Sequence, residues 1–254
     1  MKNEYHFVNE IREQPRTIED SLRDADSNLK DMAERYVEKI DRVIMVGCGD
    51  PYMLGIGATY AFEQWARLSS ESIEAAEFVE YRHNLIDERT LVILISSSGK
   101  TVKVIDAARI AAEKGSPRFA LTNINPSPIT DETNEIIQTQ AGWSDSFPTK
   151  QTTAAIANLY ALALHLAEAR NELTSQEVAT VREELYKGVP RAIREALALA
   201  PQIEKLAQGF LMAPMYTFIG SGPNWATAQL AAAKMKETSQ SRSEATNLEE
   251  YAHL

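Results

Sequence analysis

Leu91-Val92-Ile93-Leu94-Ile95, followed directly by Ser96-Ser97-Ser98-Gly99-Lys100-Thr101, is the stretch of sequence that decides the fold. Five consecutive apolar residues predict a strand that is buried on both faces, which is typical of a parallel sheet. The hydroxyl residues and Gly99 that come next predict a tight loop, with Thr101 at the start of a helix. The stretch therefore predicts one strand–loop–helix unit of an α/β protein.

The same alternation continues on both sides of this unit. An earlier strand is predicted at residues 42–46, before the glycine turn Gly47-Cys48-Gly49, and later ones near 118–122 and 135–137. A shorter strand is expected at 73–78, and helices at about 53–68, 101–114 and 152–170. Strands that alternate with helices predict right-handed crossovers and a doubly wound parallel sheet covered by helices on both faces.

The flanking segments define the predicted domain organisation. Residues 17–41 predict an amphipathic helix or a broken pair, and residues 175–209 predict helices interrupted near Pro190 and Pro201. A strand at 215–219, the turn Gly220-Ser221-Gly222-Pro223 and a helix at 225–239 repeat the pattern of the first strand and its turn. The predicted units, in order, are an N-terminal helical segment (1–40), a first α/β domain (41–172), a helical connector (173–212) and the incomplete start of a second copy (213–254).

Composition narrows the classes of partner. The chain has 254 residues, 44% of them hydrophobic, and a formal net charge of −10, which opposes broad attraction to nucleic acid or to an anionic membrane. Its one cysteine, Cys48, excludes an internal disulfide and fits a reducing compartment, and the apolar runs have the length of strands. We therefore expect a cytoplasmic protein without membrane or nucleic-acid partners.

The loops after the strands are the candidate site, because ligands of open parallel sheets bind beyond the carboxyl ends of the strands. Residues 96–101 offer hydroxyls, a glycine and the start of a helix, a combination that suits phosphate; a solvated helix cap without a ligand is the alternative. A Gly-x-Gly pair alone does not indicate a nicotinamide cofactor, and no histidine joins a metal-ligand pattern. For Cys48, a small residue at a turn is favoured over a nucleophile.

Four motifs occur in the order found in a known family. They are Glu10-Ile11-Arg12-Glu13-Gln14-Pro15, Val46-Gly47-Cys48-Gly49, residues 96–101, and Thr149-Lys150-Gln151-Thr152-Thr153. Together they make the chain resemble the SIS (sugar isomerase) family, and within it the paired-domain type that includes the isomerase half of glucosamine-6-phosphate synthase and related deglycases and deaminases. The resemblance spans nearly the whole chain.

The resemblance implies a role for individual residues of the loops. It implies that the phosphate of a sugar is bound by Ser96, Ser98 and Thr101, with Ser97 as a further contact and Gly49 and Asp50 beside the anion. Where relatives often have Thr-Ser, this chain has Asp50-Pro51, so Asp50 is expected to face a sugar hydroxyl or Lys100, unless the ligand is not a simple hexose 6-phosphate. Lys100 replaces a common glutamate.

The candidate acid and base lie in the second unit. Lys234 and Glu237 are three residues apart on one predicted helix and share a face; taken alone, such a pair indicates a surface salt bridge. The resemblance implies that Glu237 moves a proton between adjacent sugar carbons and that His253, often supplied by a neighbouring subunit, assists ring opening. His253 lies near the end of the sequence, where a frayed terminus is the alternative. His165 is expected in the core.

The resemblance thus implies an enzyme acting at C1/C2 of an amino, ketoamine or keto sugar 6-phosphate. Isomerisation, deamination and deglycation all remain open, each without a metal or redox cofactor, and a homodimer with shared sites is expected. One alternative is a sensor that binds a sugar phosphate without reacting. The other is an aminotransferase-type isomerase subunit that lacks its own glutaminase domain.

Overall fold

The computed structural model describes residues 6–142, 144 and 147–253 of the chain. Residues 1–5 of the predicted N-terminal segment and Leu254, the last residue of the predicted second unit, lie outside them. The strands are β1 Arg42–Gly47, β2 Ser69–Glu74, β3 Thr90–Ile95, β4 Arg118–Thr122, β5 Ile136–Gln138, β6 Tyr216–Gly220 and β7 Ser243–Asn247. The α-helices are α1 His6–Tyr36, α2 Asp50–Gln64, α3 Ala75–Glu77, α4 Val102–Glu113, α5 Lys150–Ala169, α6 Ser175–Glu183, α7 Val189–Ala198, α8 Ala200–Gln208, α9 Pro223–Ser239 and α10 Leu248–His253.

The main sheet has five parallel strands in the order β2-β1-β3-β4-β5 within the described residues. This arrangement confirms the predicted doubly wound α/β fold. The chain reverses its direction of travel across the sheet between β1 and β3, and these two strands are neighbours. In open sheets the crevice beyond such a reversal is where ligands bind.

Two hydrophobic layers cover the two faces of this sheet. Side chains alternate along a strand, so Val43 and Met45 of β1 face the layer made by α1, α2 and α5, while Ile44 and Val46 face the layer made by α4. All of these strand residues are fully buried. None of the helices within the described ranges is both long and apolar enough to cross a bilayer.

Helix α1 is one helix of 31 residues, which resolves the expected choice between one helix and a broken pair. It begins well before the predicted start at residue 17 and continues through Pro15, although proline weakens a helix interior. The buried residues Ile18, Leu22 and Leu29 form a stripe that packs against α5. The packing of this stripe against α5 stabilises the helix, and such a tertiary contact cannot be predicted from the local sequence.

The predicted strand at 73–78 is wrong, because β2 is Ser69–Glu74 and helical turns follow it. Strand β2 lies at the edge of the sheet and contains one strongly apolar residue, Ile73, so its pattern is weak. Glu74 instead ends the strand, since its carboxylate accepts hydrogen bonds from the backbone N–H groups of Ala76 and Glu77. Side-chain capping thus starts a helix where the apolar run suggested a strand.

Proline acts differently from the prediction at two of three places. Helix α2 starts at Asp50 rather than near residue 53, because Pro51 fits the first turn of a helix. Pro190 does not interrupt the connector: a π-helical turn, Glu184–Gly188, leads without a gap into α7. Pro201 does mark a boundary, since it lies in the first turn of α8.

The second sheet consists of β6 and β7, which pair in parallel. The order β6–glycine turn–α9–β7 repeats the order β1–glycine turn–α2–β2. The two turns also share their backbone conformation, with φ 64° and ψ −129° at Gly49 and φ 57° and ψ −138° at Gly222. Helices α2 and α9 pack closely, since a Cβ added at Gly57 would lie 3.3 Å from Cβ of Ala226.

A partly buried polar cluster joins α1, α5 and the helices that follow. His165 is 3% exposed, as predicted for a core residue, and its Nε2 lies 2.9 Å from Oδ1 of Asp26. Asp26 also accepts hydrogen bonds from Tyr186 and Arg182. Burial lowers the pKa of His165 below 6.5 and outweighs the opposing effect of Asp26. His165 is therefore neutral near pH 7, with Nε2–H donating to the carboxylate.

We expect the protein to lose stability on acidification because of His165. His165 binds a proton less readily in the folded chain than in the unfolded chain. Below pH 6.5 protonation therefore stabilises the unfolded chain, and the free energy of unfolding falls by up to about 1.4 kcal/mol per pH unit. Urea denaturation between pH 7 and pH 5 measures this slope. The slope should shrink in His165→Gln, and an unchanged slope would show that another group titrates.

Candidate functional site

The candidate site lies at the edge of the main sheet where β1 and β3 end. The two strands pair up to Val46 and Leu94, so the turn after β1 and the loop at residues 96–101 leave the sheet side by side. The helices that follow these segments, α2 and α4, present their N-termini to the same edge. Their backbone N–H groups and partial positive charge favour an anion there.

The conformation of the 96–101 loop depends on Gly99. Its φ of 66° is left-handed, and a Cβ at this position would lie 2.1 Å from Oγ of Ser127. The loop closes on itself through the hydrogen bond from Gly99 N–H to Ser96 O, at 3.1 Å. It is tied to the next loop by the bond from Ile129 N–H to Gly99 O, at 3.0 Å. Only glycine combines the positive φ with the absence of a Cβ that position 99 requires.

The hydroxyls of the loop occupy different depths. Ser96 is 1% exposed, and its Oγ lies 3.0 Å from Oγ1 of Thr101, so these two side chains bind each other. Ser97 is half-buried and Ser98 is exposed, with the Ser98 hydroxyl accepting a hydrogen bond from Lys100 N–H. Within the described part of the chain, the N–H groups of Ser97, Ser98 and Thr101 make no hydrogen bond. The loop therefore presents unused donors.

Two of the residues with unused donors, Ser97 and Ser98, line a cavity of about 310 Å³. Ser97, Ser98 and Lys100 line one side of it. The remaining lining residues come from the loop after β4 and from the segment leading into α5: Asn123, Ile124, Ser144, Pro148 and Gln151. The N-termini of α4 and α5 thus both lie at this cavity, and the first turn of α5 contains no acidic residue.

The start of α5 is fixed by the N-terminal helix. The carboxylate of Glu10, which is 6% exposed, accepts hydrogen bonds from the hydroxyls of Ser144 and Thr149. One turn later in α1, Glu13 forms an ion pair of 2.6 Å with Lys150. The motif at residues 10–15 therefore acts at a distance in sequence, holding the segment that forms one wall of the cavity.

Asp50 joins the first unit to α9. Its carboxylate is 8% exposed and lies 2.6 Å from Nζ of Lys234 and 3.0 Å from the hydroxyl of Thr152. Lys234 is thus the cationic partner of Asp50, and the expected pairing with Lys100 is wrong. Asp50 is not among the residues that line the cavity beside the loop.

The predicted pair of Lys234 and Glu237 forms, with 2.8 Å between Nζ and Oε2. It is not an ordinary surface pair, because the Lys234 side chain is only 18% exposed and binds Asp50 at the same time. A single ammonium group therefore lies between two carboxylates, one from α2 and one from α9. Glu237 is the more accessible carboxylate, at 34% exposed.

His253 lies apart from this group in the described chain. Its side chain is 71% exposed, on the short helix α10, and its Nε2 lies 3.3 Å from Oε1 of Glu249 on the same helix. No hydrogen bond or ion pair among the described residues joins it to Glu237. The structure therefore brings together Asp50, Lys234 and Glu237, and not His253.

Cys48 is half-buried at the turn after β1, and its thiol donates a hydrogen bond to Glu74. Burial and the neighbouring carboxylate raise the pKa of Cys48 to about 11. A thiol held in its protonated form is a poor nucleophile, which agrees with the prediction of a small residue at a turn.

Sequence reasoning missed several residues that build the cavity. Asn123 donates to Gly142 O and accepts hydrogen bonds from Thr139 and Ala141, and Gln151 lines the same space. Gln151 belongs to the motif at residues 149–153, so the motif was a usable signal. Asn123 follows a predicted strand directly, which is the position of a ligand-binding loop.

The chain resembles known proteins in sequence. The sequence profile of the SIS domain family matches residues 36–165. Over 98% of the chain, the sequence is 33% identical to glutamine–fructose-6-phosphate aminotransferase (isomerizing) of Caldanaerobacter subterraneus subsp. tengcongensis. The chain spans 42% of the length of that relative.

Solved structures share the fold. The C-terminal domain of glucosamine-fructose-6-phosphate aminotransferase from Francisella tularensis superposes with a TM-score of 0.92 and 26% identity, covering 100% of this chain and 72% of that one. Glucosamine-6-phosphate deaminase from Thermotoga maritima superposes with a TM-score of 0.73 and 20% identity, covering 98% and 72% of the two chains.

We expect Asp50→Asn to destabilise the fold by about 1–3 kcal/mol, because it removes one of the two charges that neutralise a largely buried Lys234. Glu237→Gln is the matched control, since it removes the more exposed partner and the same charge. Denaturation by urea measures both free energies of unfolding. A loss in Asp50→Asn no greater than that in Glu237→Gln would contradict the assignment of Asp50 as the main partner.

Proposed function

The chain belongs to the SIS domain family, and from this premise we propose that the cavity beside residues 96–101 binds a sugar phosphate. The observation that carries the proposal is the set of unused N–H groups at Ser97, Ser98 and Thr101, with the hydroxyls of Ser97 and Ser98, beside a cavity at the carboxyl edge of the sheet. A phosphate dianion only accepts hydrogen bonds, so a cluster of donors at the N-terminus of α4 suits it. Lys100 adds a positive charge at the rim.

Within this proposal the loop residues act differently. Ser97 and Ser98 contact the phosphate with their hydroxyls and N–H groups. Ser96 is buried and acts through Thr101, whose hydroxyl it orients. Gly49 contributes the sharp turn that starts α2. Asp50 contacts Lys234 and not the phosphate, which keeps a second negative charge away from the anion.

We further propose that the protein is an enzyme acting at C1/C2 of the bound sugar phosphate, as an isomerase, deaminase or deglycase. Glu237 removes a proton from one carbon of the open-chain sugar and returns it to the neighbouring carbon, while the carbonyl group moves the opposite way. Lys234 holds the Glu237 carboxylate by an ion pair of 2.8 Å. The names of the relatives support this choice, since they describe aminotransferase and deaminase activity on sugar 6-phosphates.

The two parts of the proposed site are linked by the first turn of α5. Gln151 lines the cavity, and the next residue, Thr152, donates a hydrogen bond to Asp50, which binds Lys234. A sugar whose phosphate lies at the 96–101 loop extends along this turn towards Glu237.

Ring opening needs an additional acid–base group, and we assign it to His253 of a neighbouring copy. His253 is exposed and contacts only its own helix neighbour Glu249 among the described residues, so a second copy of the chain in a homodimer is the proposed source. Imidazole titrates near neutral pH, which suits proton transfer to the ring oxygen.

A non-catalytic sensor is the second candidate. Every described residue that lines the cavity lies between residues 97 and 151, whereas Glu237 and His253 belong to the second unit. Binding of a sugar phosphate therefore needs residues of the first unit alone, whereas turnover also needs residues of the second unit. A sensor and an enzyme differ in turnover and not in binding. Supply of ammonia by another subunit, as in an aminotransferase, is a variant of the catalytic proposal.

We expect fructose 6-phosphate, but not fructose, to raise the melting temperature, since a ligand that binds only the folded state stabilises it. The double variant Ser98→Ala/Thr101→Ala should weaken binding at least about 10-fold, because hydrogen bonds to a charged group are lost. Thr180→Ala, an exposed hydroxyl on α6 bonded to its own helix, is the control. An undiminished shift in the double variant would disprove the phosphate assignment.

Glu237→Gln should lower turnover by at least about 100-fold while leaving the dissociation constant of the sugar phosphate nearly unchanged, because the amide cannot accept the proton. Turnover is followed with fructose 6-phosphate, glucosamine 6-phosphate and fructosamine 6-phosphate. Glu244→Gln on β7 is the control for loss of a carboxylate. Binding without turnover of any of the three sugars by the wild type would favour the sensor.

A further inference from the structure

Gln151 has a side-chain oxygen with no partner in the described structure. The residue is 3% exposed and lies in the first turn of α5, and its Oε1 is fully buried without a hydrogen bond. Buried amide oxygens are nearly always paired, so an orphaned one calls for a bound group. Gln151 is also one of the residues that line the cavity beside the 96–101 loop.

The orientation of the Gln151 amide follows from its surroundings. Its Nε2 lies 3.5 Å from the backbone oxygen of Gly142. The same oxygen accepts a shorter hydrogen bond, 2.6 Å, from Nδ2 of Asn123. Turning the amide over would bring two acceptor oxygens together, so the nitrogen belongs on the Gly142 side. Oε1 is then the unpaired atom of a residue that lines the cavity.

The chemistry of Oε1 indicates which part of a ligand it contacts. It is an acceptor, and a phosphate dianion is also an acceptor, so the two do not bind each other. The donors for phosphate belong to a different segment of the cavity lining, at Ser97 and Ser98. The group that meets Gln151 is therefore a hydrogen-bond donor carried by the rest of the molecule.

We propose that Gln151 is a specificity-determining residue whose Oε1 accepts a hydrogen bond from a hydroxyl or amino group on the carbon skeleton of the bound sugar phosphate. This inference rests on the proposed function and extends it, because it gives the ligand a direction: phosphate at the 96–101 loop, sugar against α5. It also predicts that the site prefers a polyhydroxylated phosphate ester to the inorganic ion.

The experiment compares two ligands, inorganic phosphate and fructose 6-phosphate, by calorimetry on the full chain. Gln151→Met keeps the length of the side chain and removes the acceptor. We expect it to weaken fructose 6-phosphate binding about 3- to 10-fold, the range for one neutral hydrogen bond, and to leave phosphate binding unchanged. Gln151→Glu keeps an acceptor, so the ratio of the two affinities should be retained, although its charge weakens both ligands.

Thr153→Val is the matched control. Thr153 lies on the same turn of α5, its hydroxyl is bonded to carbonyl groups of its own helix, and it does not line the cavity. It should leave both affinities at their wild-type values. If Gln151→Met does not fold, Gln151→Ala is measured in the same way.

The outcomes separate this inference from the proposal beneath it. An unchanged affinity for fructose 6-phosphate in Gln151→Met, or an equal loss for both ligands, overturns the role of Gln151 while phosphate binding stands. A wild-type protein that binds neither ligand overturns the proposed function itself and this inference with it. Glucose 6-phosphate, glucosamine 6-phosphate and 2-deoxyglucose 6-phosphate then show whether a hydroxyl or an amino group is the donor.

Discussion

The first turn of α5 is the constraint on which the site depends. The four consecutive side chains of residues 149–152 contact four different residues. Two bind carboxylates of α1, one lies against the Gly142 carbonyl, and one binds Asp50. A helix turns about 100° per residue, so adjacent side chains point in different directions, and four neighbours in sequence reach four neighbours in space. The cavity wall, the N-terminal helix and the acidic group of α2 are thereby fixed relative to one another.

Electrostatics in the site is local and not governed by the overall charge. The chain carries a formal net charge of −10, yet the loop residues that line the cavity are two serines and one lysine, Ser97, Ser98 and Lys100. The nearby carboxylate that interrupts the family pattern, Asp50, is turned towards Lys234 and so neutralised. The departure at Asp50-Pro51 is thus compensated within the chain, through a contact between segments that are more than 180 residues apart in sequence (234 − 50 = 184).

The glycine turns Gly47–Gly49 and Gly220–Gly222 show how one local design is used twice. Both place a glycine with positive φ before a helix that has proline in its first turn, and both helices return the chain to a parallel strand. Helices α2 and α9 then pack against each other, which brings Lys234 to the start of α2. The strand–glycine turn–helix repeat is recognisable in the sequence as two similar segments, and in the structure its two copies contact each other.

The sequence alone determined the parallel sheet, because runs such as Leu91–Ile95 are apolar on both faces and no other common element buries them that way. It also determined the loop at residues 96–101, whose glycine and hydroxyls are local features. It did not determine β2, whose polar edge strand is held by pairing with β1, or the full length of α1, whose stripe is stabilised by α5. Only the tertiary structure decided that Asp50 binds Lys234 and that Gln151 faces the cavity, because each contact joins residues whose distance in space is set by the packing of helices and not by their neighbours in sequence.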